Sequence, residues 1–288
     1  MGAPVMKRKL ISLCLLPLLA FGRWELDFDE DFAAASSKKA EPVTLTFEYV
    51  STYPVTITIG GTTYGQPADP SKALVDAGDG VFVPWTSNTI TVKGKRIRFR
   101  GDWRNSAGNF RELFRATFGG GYNVTMSGGF DFEGTPAANM FYRTFLDCSN
   151  LTGSIPSGLF GNISGAPAAS MFYGTFYNCS KLTGPIPSGL FGDISGAPAA
   201  YMFYYTFYNC SKLKGSIPVG LFGDISGAPA LNMFYATFYN CSNLTGESAL
   251  MPDGTTHLYE QFPTSGGINC YYGATGLNDY ATIPAAWK

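Results

Sequence analysis

The chain has 288 residues, of which 45% are hydrophobic and only 14% carry a charged side chain, and its formal net charge is -1. This composition excludes an intrinsically disordered protein, because disorder needs low hydrophobicity and high net charge. It does not fit a nucleic-acid-binding protein, which needs a strongly basic surface. The 35 glycines and 18 prolines indicate short elements separated by many turns.

The N-terminus has the pattern of an export signal. Basic residues at positions 7–9 precede the apolar run 10–21, which is too short to span a bilayer. Small residues around Gly22 offer a cleavage site, so residues 1–22 are predicted to be a signal peptide. Residues 23–42 are rich in charge and predict a flexible leader. We therefore expect a secreted or cell-surface protein without a transmembrane span.

Residues 43–108 are predicted to form a small β-rich domain. Runs rich in Val, Ile, Thr and aromatic residues alternate with Gly, Pro and Asp turns, which is typical of short strands. The predicted strand regions are Val43–Val50, Val55–Gly60, Val81–Trp85 and Thr89–Arg100.

A repeat dominates the rest of the chain. A Met-Phe pair begins four copies, at Met140, Met171, Met202 and Met233, each 31 residues after the last. A fixed period indicates that each copy is one supersecondary unit whose apolar face is covered by its neighbours. One cysteine per copy keeps the same step: Cys148, Cys179, Cys210 and Cys241.

Each copy contains two hydrophobic patterns. Phe141, Phe145 and Cys148 stand at i, i+4 and i+7, which predicts one stripe of a helix in the core. The segment 182–186 alternates apolar and variable residues and predicts a short strand. The predicted fold class is an α/β solenoid of leucine-rich-repeat type over residues 109–288, with a short parallel strand and a short helix per copy. Its shortened first and last copies are expected to be caps, and the small β domain precedes it.

The pattern Met-Phe-x-x-Thr-Phe-x-x-Cys-Ser-x-Leu-Thr-Gly-x-Ile-Pro resembles the leucine-rich repeats of BspA-like bacterial surface proteins, over about residues 110–288. Members of that family are described as adhesins or host-interaction proteins. The resemblance therefore implies binding to matrix proteins or host receptors. The small polar residues at the outward strand positions suit a host or environmental protein or a glycan equally. The unit here is longer than the family's, because it contains the segment Gly-Asp-Ile-Ser-Gly-Ala-Pro.

Catalytic chemistry finds little support in the sequence. His257 is the single histidine, and no catalytic partner is evident near it, so it is predicted to be a loop histidine. A glycan-active enzyme that uses Asp131 and Glu133 is the weakest of the functions considered. The chain is predicted to be no enzyme and to need no cofactor or metal.

Two repeated polar positions leave alternatives open. The repeat cysteines are expected to form a buried column of free thiols, with disulfides as the alternative in an exported protein. Asn162, Asp193 and Asp224 share one place in their copies. Turn formation explains them better than a calcium site, because Asn and Asp are favoured in turns for their local hydrogen bonds.

The copies differ at positions that suggest a binding face. On the predicted helix these positions form a stripe offset from the Phe/Cys stripe, and hence exposed. Tyrosine suits such a surface because it offers a large contact area at low entropic cost, although exposed positions also drift without function. Outward strand positions would form a second, concave face. The candidate ligand-binding residues are Arg143, Tyr177, Tyr201, Tyr205, Tyr208, Tyr239 and Lys214.

Two functions follow. The first is an adhesion or binding module at the bacterial surface, whose affinity comes from several weak, repeated contacts. The alternative is a structural, self-associating envelope or surface-layer component without a soluble ligand. Concentration-dependent self-association is expected only of the second.

Overall fold

The computed structural model describes residues 41–288, apart from 51–54, 61–63, 65, 119–120 and 264. The predicted signal peptide and nearly all of the predicted leader lie outside this part. Pro42–Lys288 forms one compact unit. No helix in the described part of the chain is long and apolar enough to cross a membrane.

Strands make up most of the regular structure. The strands in chain order are β1 (Thr44–Tyr49), β2 (Val55–Thr58), β3 (Ala73–Asp76), β4 (Val83–Pro84), β5 (Thr89–Val92), β6 (Arg96–Gly101), β7 (Val124–Gly128), β8 (Glu133–Gly134), β9 (Leu151–Thr152), β10 (Asn162–Gly165), β11 (Asp193–Gly196), β12 (Gly215–Ser216), β13 (Asp224–Ile225) and β14 (Leu244–Thr245).

The strands form four sheets. The largest has the order β4-β3-β6-β1-β7-β9 and mixes antiparallel pairs with the parallel pair of β7 and β9. A second sheet has the order β13-β11-β10-β8 and is parallel throughout. The other two sheets have two strands each: β12 pairs with β14, and β2 pairs with β5. Each of the four predicted strand regions before residue 108 contains a strand, and β3 is an additional one.

The largest sheet joins the β-rich segment to the repeats. β1 pairs with β6 on one side and with β7, which precedes the first copy, on the other. The Phe47 ring of β1 lies 4.9 Å from the Phe114 ring and 6.4 Å from the Phe145 ring, between centroids. One hydrophobic core therefore continues from the β-rich segment into the copies.

The predicted α/β leucine-rich-repeat solenoid is wrong. Within the described residues the structure has one α-helix, α1 (Leu258–Gln261), and two 3-10 helices, Ser265–Gly267 and Ala285–Trp287. All three follow the Met-Phe segments of the four copies, so no copy contains the predicted helix there. The regular structure consists instead mainly of strands in mixed sheets.

The Met-Phe segments are runs of consecutive turns. The N–H of Tyr142 donates to the carbonyl of Asn139, three residues earlier, at 3.2 Å. The N–H of Phe141 instead forms its hydrogen bond outside the segment, with the carbonyl of Met171 in the next copy, at 2.7 Å. This alternation continues along every copy and pairs each copy with the next. An α-helix cannot form it, because helical N–H groups are bonded to carbonyls four residues earlier.

Every fourth residue of a turn segment has a positive φ. In the first copy these residues are Asn139, Arg143 and Asp147, with φ of 58°, 53° and 60°. A conformation that recurs every four residues places Phe141 and Phe145 on one side, as a helix also would. The i, i+4 spacing therefore does not distinguish these turns from a helix.

Gly174 stands at such a position and supplies a test of the turn geometry. Its φ is 56°, and a side-chain carbon added there would make ordinary van der Waals contacts, the nearest with the Cγ of Arg143 at 3.4 Å. A non-glycine residue in this conformation costs roughly 1–2 kcal/mol. We expect Gly174→Ala to lower the free energy of unfolding, measured in urea, by about 1 kcal/mol.

Ser170→Gly provides the opposite change in the same copy. Ser170 also has a left-handed φ, 55°. Glycine adopts this conformation without strain but loses more entropy on folding, so the expected gain in stability is smaller, about 0.5 kcal/mol. If the free energy of unfolding changed in the same direction for Gly174→Ala and Ser170→Gly, the turn geometry would be contradicted.

The core consists of aromatic columns that run through the copies. The rings of Phe141, Phe172, Phe203 and Phe234 stack with centroids 5.4–5.6 Å apart and planes within 7° of parallel. Equivalent columns contain Phe145 and Phe160 with their counterparts. Each ring fills the layer between two copies, so no copy can bury its apolar face alone.

The repeat cysteines lie in this core as free thiols, so the alternative of disulfides among them is wrong. The Sγ of Cys148 donates to the carbonyl of Phe114 at 3.0 Å, and the later copies repeat this bond. Burial raises the pKa of the Cys148 thiol to about 12. A reactive cysteine needs an accessible thiolate, and these thiols are buried. The cysteines therefore serve as packing residues of the core.

Candidate binding surface

Two columns of stacked tyrosines lie along the turn segments. The first contains Tyr142, Tyr173, Tyr204 and Tyr235, with ring centroids 4.6–4.8 Å apart. The second contains Tyr177, Tyr208, Tyr239 and Tyr272, with centroids 4.6–4.7 Å apart. These distances match the spacing of neighbouring strands, because equivalent residues of paired copies stack directly on one another.

Tyr205 lies between the two columns. Its ring centroid is 4.2 Å from that of Tyr204 in the first column and 5.0 Å from that of Tyr208 in the second, with planes about 70° apart. The equivalent residues of the adjacent copies are Gly174 and Ala236, which leave room for the ring. Desolvation of the partly buried side chain raises the pKa of Tyr205. With Tyr201, which packs on Tyr204, the columns and Tyr205 form what we call the tyrosine surface.

Arginines occupy one end of the tyrosine surface. The guanidinium carbon of Arg143 lies 5.0 Å from the ring centroid of Tyr142 and 5.3 Å from that of Tyr173. The guanidinium carbon of Arg111 also lies over the ring of Tyr142, at 4.6 Å. These are cation–π distances, so the rings hold the two cations in place.

The structure brings together six of the seven predicted binding residues. Arg143, Tyr177, Tyr201, Tyr205, Tyr208 and Tyr239 all belong to the tyrosine surface or pack on it. Lys214 is exposed next to β12, and within the described residues no hydrogen bond or ring contact joins it to the others. The prediction omitted the column of Tyr142. It was based on positions that differ between copies, and this position is a tyrosine in all four. An invariant tyrosine beside a buried phenylalanine is the signal that would have revealed it.

A polar groove of about 630 Å³ runs beside the second tyrosine column. One amide from each of three copies donates to the preceding copy: Asn240 to Asn209 at 2.9 Å, Asn209 to Asn178 at 3.0 Å, and Asn178 to Asp147 at 2.9 Å. This asparagine column ends on a carboxylate. Serines complete the wall of the groove: Ser149, Ser180, Ser211 and Ser242.

The stacking determines which part of each tyrosine a ligand can reach. Both faces of an inner ring such as Tyr208 are covered by the rings above and below it. The surface therefore presents ring edges and hydroxyl groups, which suit edge-on aromatic contacts and hydrogen bonds. Stacking of a flat ligand is restricted to the ends of the columns, where Tyr272 is 48% exposed.

The structure corrects the prediction of an isolated loop histidine. His257 is half-buried, and its Nδ1 lies 2.9 Å from the hydroxyl oxygen of Ser248, which donates to Asp279 Oδ2 at 2.6 Å. The arrangement is not a nucleophilic triad, because the serine and the carboxylate lie on the same ring nitrogen. A triad places them on opposite nitrogens.

Comparison with known proteins yields no match among family models, curated proteins or solved structures.

Proposed function

We propose that this protein is a binding module, secreted or exposed at a bacterial surface, that recognises a host or environmental protein through the tyrosine surface. The observation that carries the proposal is the gathering of ten tyrosines on one surface, eight of them in two stacked columns. Tyrosine and arginine are, with tryptophan, the residue types most enriched among the energetically dominant contacts of protein interfaces.

The packing of the rings supports this function further. Binding costs free energy for each side chain that must be ordered in the interface. The tyrosines of the columns are already held by their neighbours, so little of this cost remains. A glycan is the less favoured ligand, because sugar rings generally need a free aromatic face and the inner faces are covered.

Self-association through the same surface is the second candidate function. A contiguous aromatic surface with few charges is typical of an interaction site, and in this function the partner is a second copy of the chain. In that case the protein is a structural component, and its oligomeric state depends on its concentration.

The test replaces three tyrosines by residues that other copies already have at the same places. In the variant Tyr201→Ser, Tyr205→Ala, Tyr208→Leu the new residues match Ser170, Ala236 and Leu146. The turns should therefore form normally, which circular dichroism will verify. Wild type, this variant and Lys214→Ala are applied to extracellular-matrix protein and glycan arrays.

We expect wild type and Lys214→Ala to bind the same protein, and the triple variant to lose at least about tenfold in affinity. Unchanged binding by the folded triple variant would contradict the role of the tyrosine surface. Wild-type binding confined to glycans would contradict the preference for a protein partner. If wild type binds no ligand but forms oligomers, and the triple variant is monomeric, self-association is established instead.

A further inference from the structure

A second site lies where the fourth copy departs from the repeat. After Gly246 the sequence no longer follows the earlier copies, and Glu247 and Ser248 begin the divergent segment. His257 lies at the start of α1, and Asp279 belongs to the C-terminal segment. The fold brings these three stretches of chain together at one place.

Three potential metal ligands converge there. One ligand atom from each of Glu247, His257 and Asp279 lies within 4.8 Å of the other two. His257 Nδ1 and Asp279 Oδ2 are 3.6 Å apart. Two ligands of a tetrahedral ion with bonds of about 2.1 Å are about 3.4 Å apart, which is close to the spacing of this pair. Because the Ser248 hydroxyl donates its hydrogen to Asp279, the imidazole donates from Nδ1 to Ser248 in the metal-free protein, and zinc would displace that proton on binding.

Two of the three ligands are held in position. Asp279 accepts the backbone N–H of Ser248 on Oδ1, at 2.9 Å, and the Ser248 hydroxyl on Oδ2. The His257 ring stacks on that of Tyr259, with centroids 4.9 Å apart and planes within 8° of parallel. Such contacts fix the orientation of metal ligands and strengthen binding. Glu247 is exposed and leaves a path for an ion.

Ser248 supplies an independent reason to assign a function here. Its counterparts in the first three copies are Ile155, Ile186 and Ile217, which are buried in the core. Ser248 is only 1% exposed, so a buried hydroxyl replaces a buried aliphatic side chain. That change sacrifices apolar burial and requires hydrogen-bond partners, which are the histidine and aspartate of the cluster. The repeat is thus broken in favour of a polar site.

We propose that Glu247, His257 and Asp279 bind a zinc ion. One imidazole nitrogen with two carboxylate oxygens is a ligand set that zinc accepts, and three protein ligands leave the fourth position to water. Calcium would be a poorer fit, because it prefers six to eight oxygen ligands. The ion would tie the divergent segment, α1 and the C-terminal segment together.

Isothermal titration calorimetry tests the proposal with the full chain, free of a histidine tag and freed of metals with a chelator. Zinc chloride is titrated into wild type, Glu247→Gln, His257→Gln and the control Asp193→Asn, and calcium chloride is titrated separately into wild type and His257→Gln. Asp193 is an exposed carboxylate of β11 outside the cluster. Because Glu247 is exposed, its variant should fold normally, and circular dichroism verifies this for all four proteins.

We expect one zinc ion per chain for wild type and for the control, and at least about tenfold weaker binding for each cluster variant. Zinc should also raise the thermal unfolding midpoint of wild type but not that of His257→Gln. The proposal is overturned if wild type binds no zinc, if the cluster variants bind it like wild type, or if calcium binds this site as tightly.

Discussion

Phe203→Ala is expected to lower the free energy of unfolding by about 3–5 kcal/mol, because it empties the centre of an aromatic column. The Phe203 ring is fully buried and stacks between Phe172 and Phe234, at 5.5 Å and 5.6 Å. Phe191 and Phe222 contact it from the side, at 4.9 Å and 4.6 Å. The surrounding rings are constrained by their own copies, so the cavity cannot collapse easily.

Chemical denaturation followed by circular dichroism measures this loss. Val219→Ala is the matched control in the same copy, because Val219 is 55% exposed and a surface substitution changes stability by less than about 0.5 kcal/mol. A loss below about 1 kcal/mol for Phe203→Ala would mean that the column relaxes around the cavity, contrary to the tight stacking.

Asp76→Ala is expected to lower the free energy of unfolding by about 3 kcal/mol, because it removes the centre of a buried polar network. The Asp76 side chain is 1% exposed. Its Oδ1 accepts the backbone N–H groups of Gly78 and Gly80, at 2.8 Å and 3.0 Å, and its Oδ2 accepts the Arg98 Nε–H at 2.7 Å. Alanine leaves these donors without their acceptor and a partly buried guanidinium without its partner.

The control is Asp79→Ala, three residues further along. Asp79 pairs with Lys93 at 3.0 Å, but both side chains are well exposed. Exposed ion pairs contribute little to stability, so thermal unfolding should hardly change for this variant. Equal losses for both variants would show that burial does not determine the strength of the Asp76 network.

The sequence predicted the arrangement of the core better than its secondary structure. Strand regions before residue 108 were identified because alternation has a period that only strands share. The positions of Phe141, Phe145 and Cys148 in the core were also correct. The helix was wrong because turns that recur every four residues produce the same spacing. A positive φ at Arg143 or Tyr205 is unusual for these residue types, so residue propensities do not predict it.

The candidate sites show a similar limit. Variation between copies identified Tyr201, Tyr205 and Tyr208, but it could not identify the invariant Tyr142 column. The cluster around His257 was missed because Ser248 and Asp279 are 9 and 22 residues away from it in the sequence. Only the fold brings those segments together.

Adjacent copies contact one another through the same hydrogen-bond pattern, so the protein can change in length by whole copies. Each copy donates from its alternate N–H groups to the carbonyls of the next, and the rings and asparagine amides keep the same 31-residue step. Removal or duplication of one whole copy would leave two matching surfaces in contact. The tyrosine surface can therefore lengthen or shorten in discrete steps, so recombination within the gene would adjust its multivalency while the phenylalanine columns and the hydrogen bonds between copies keep their pattern.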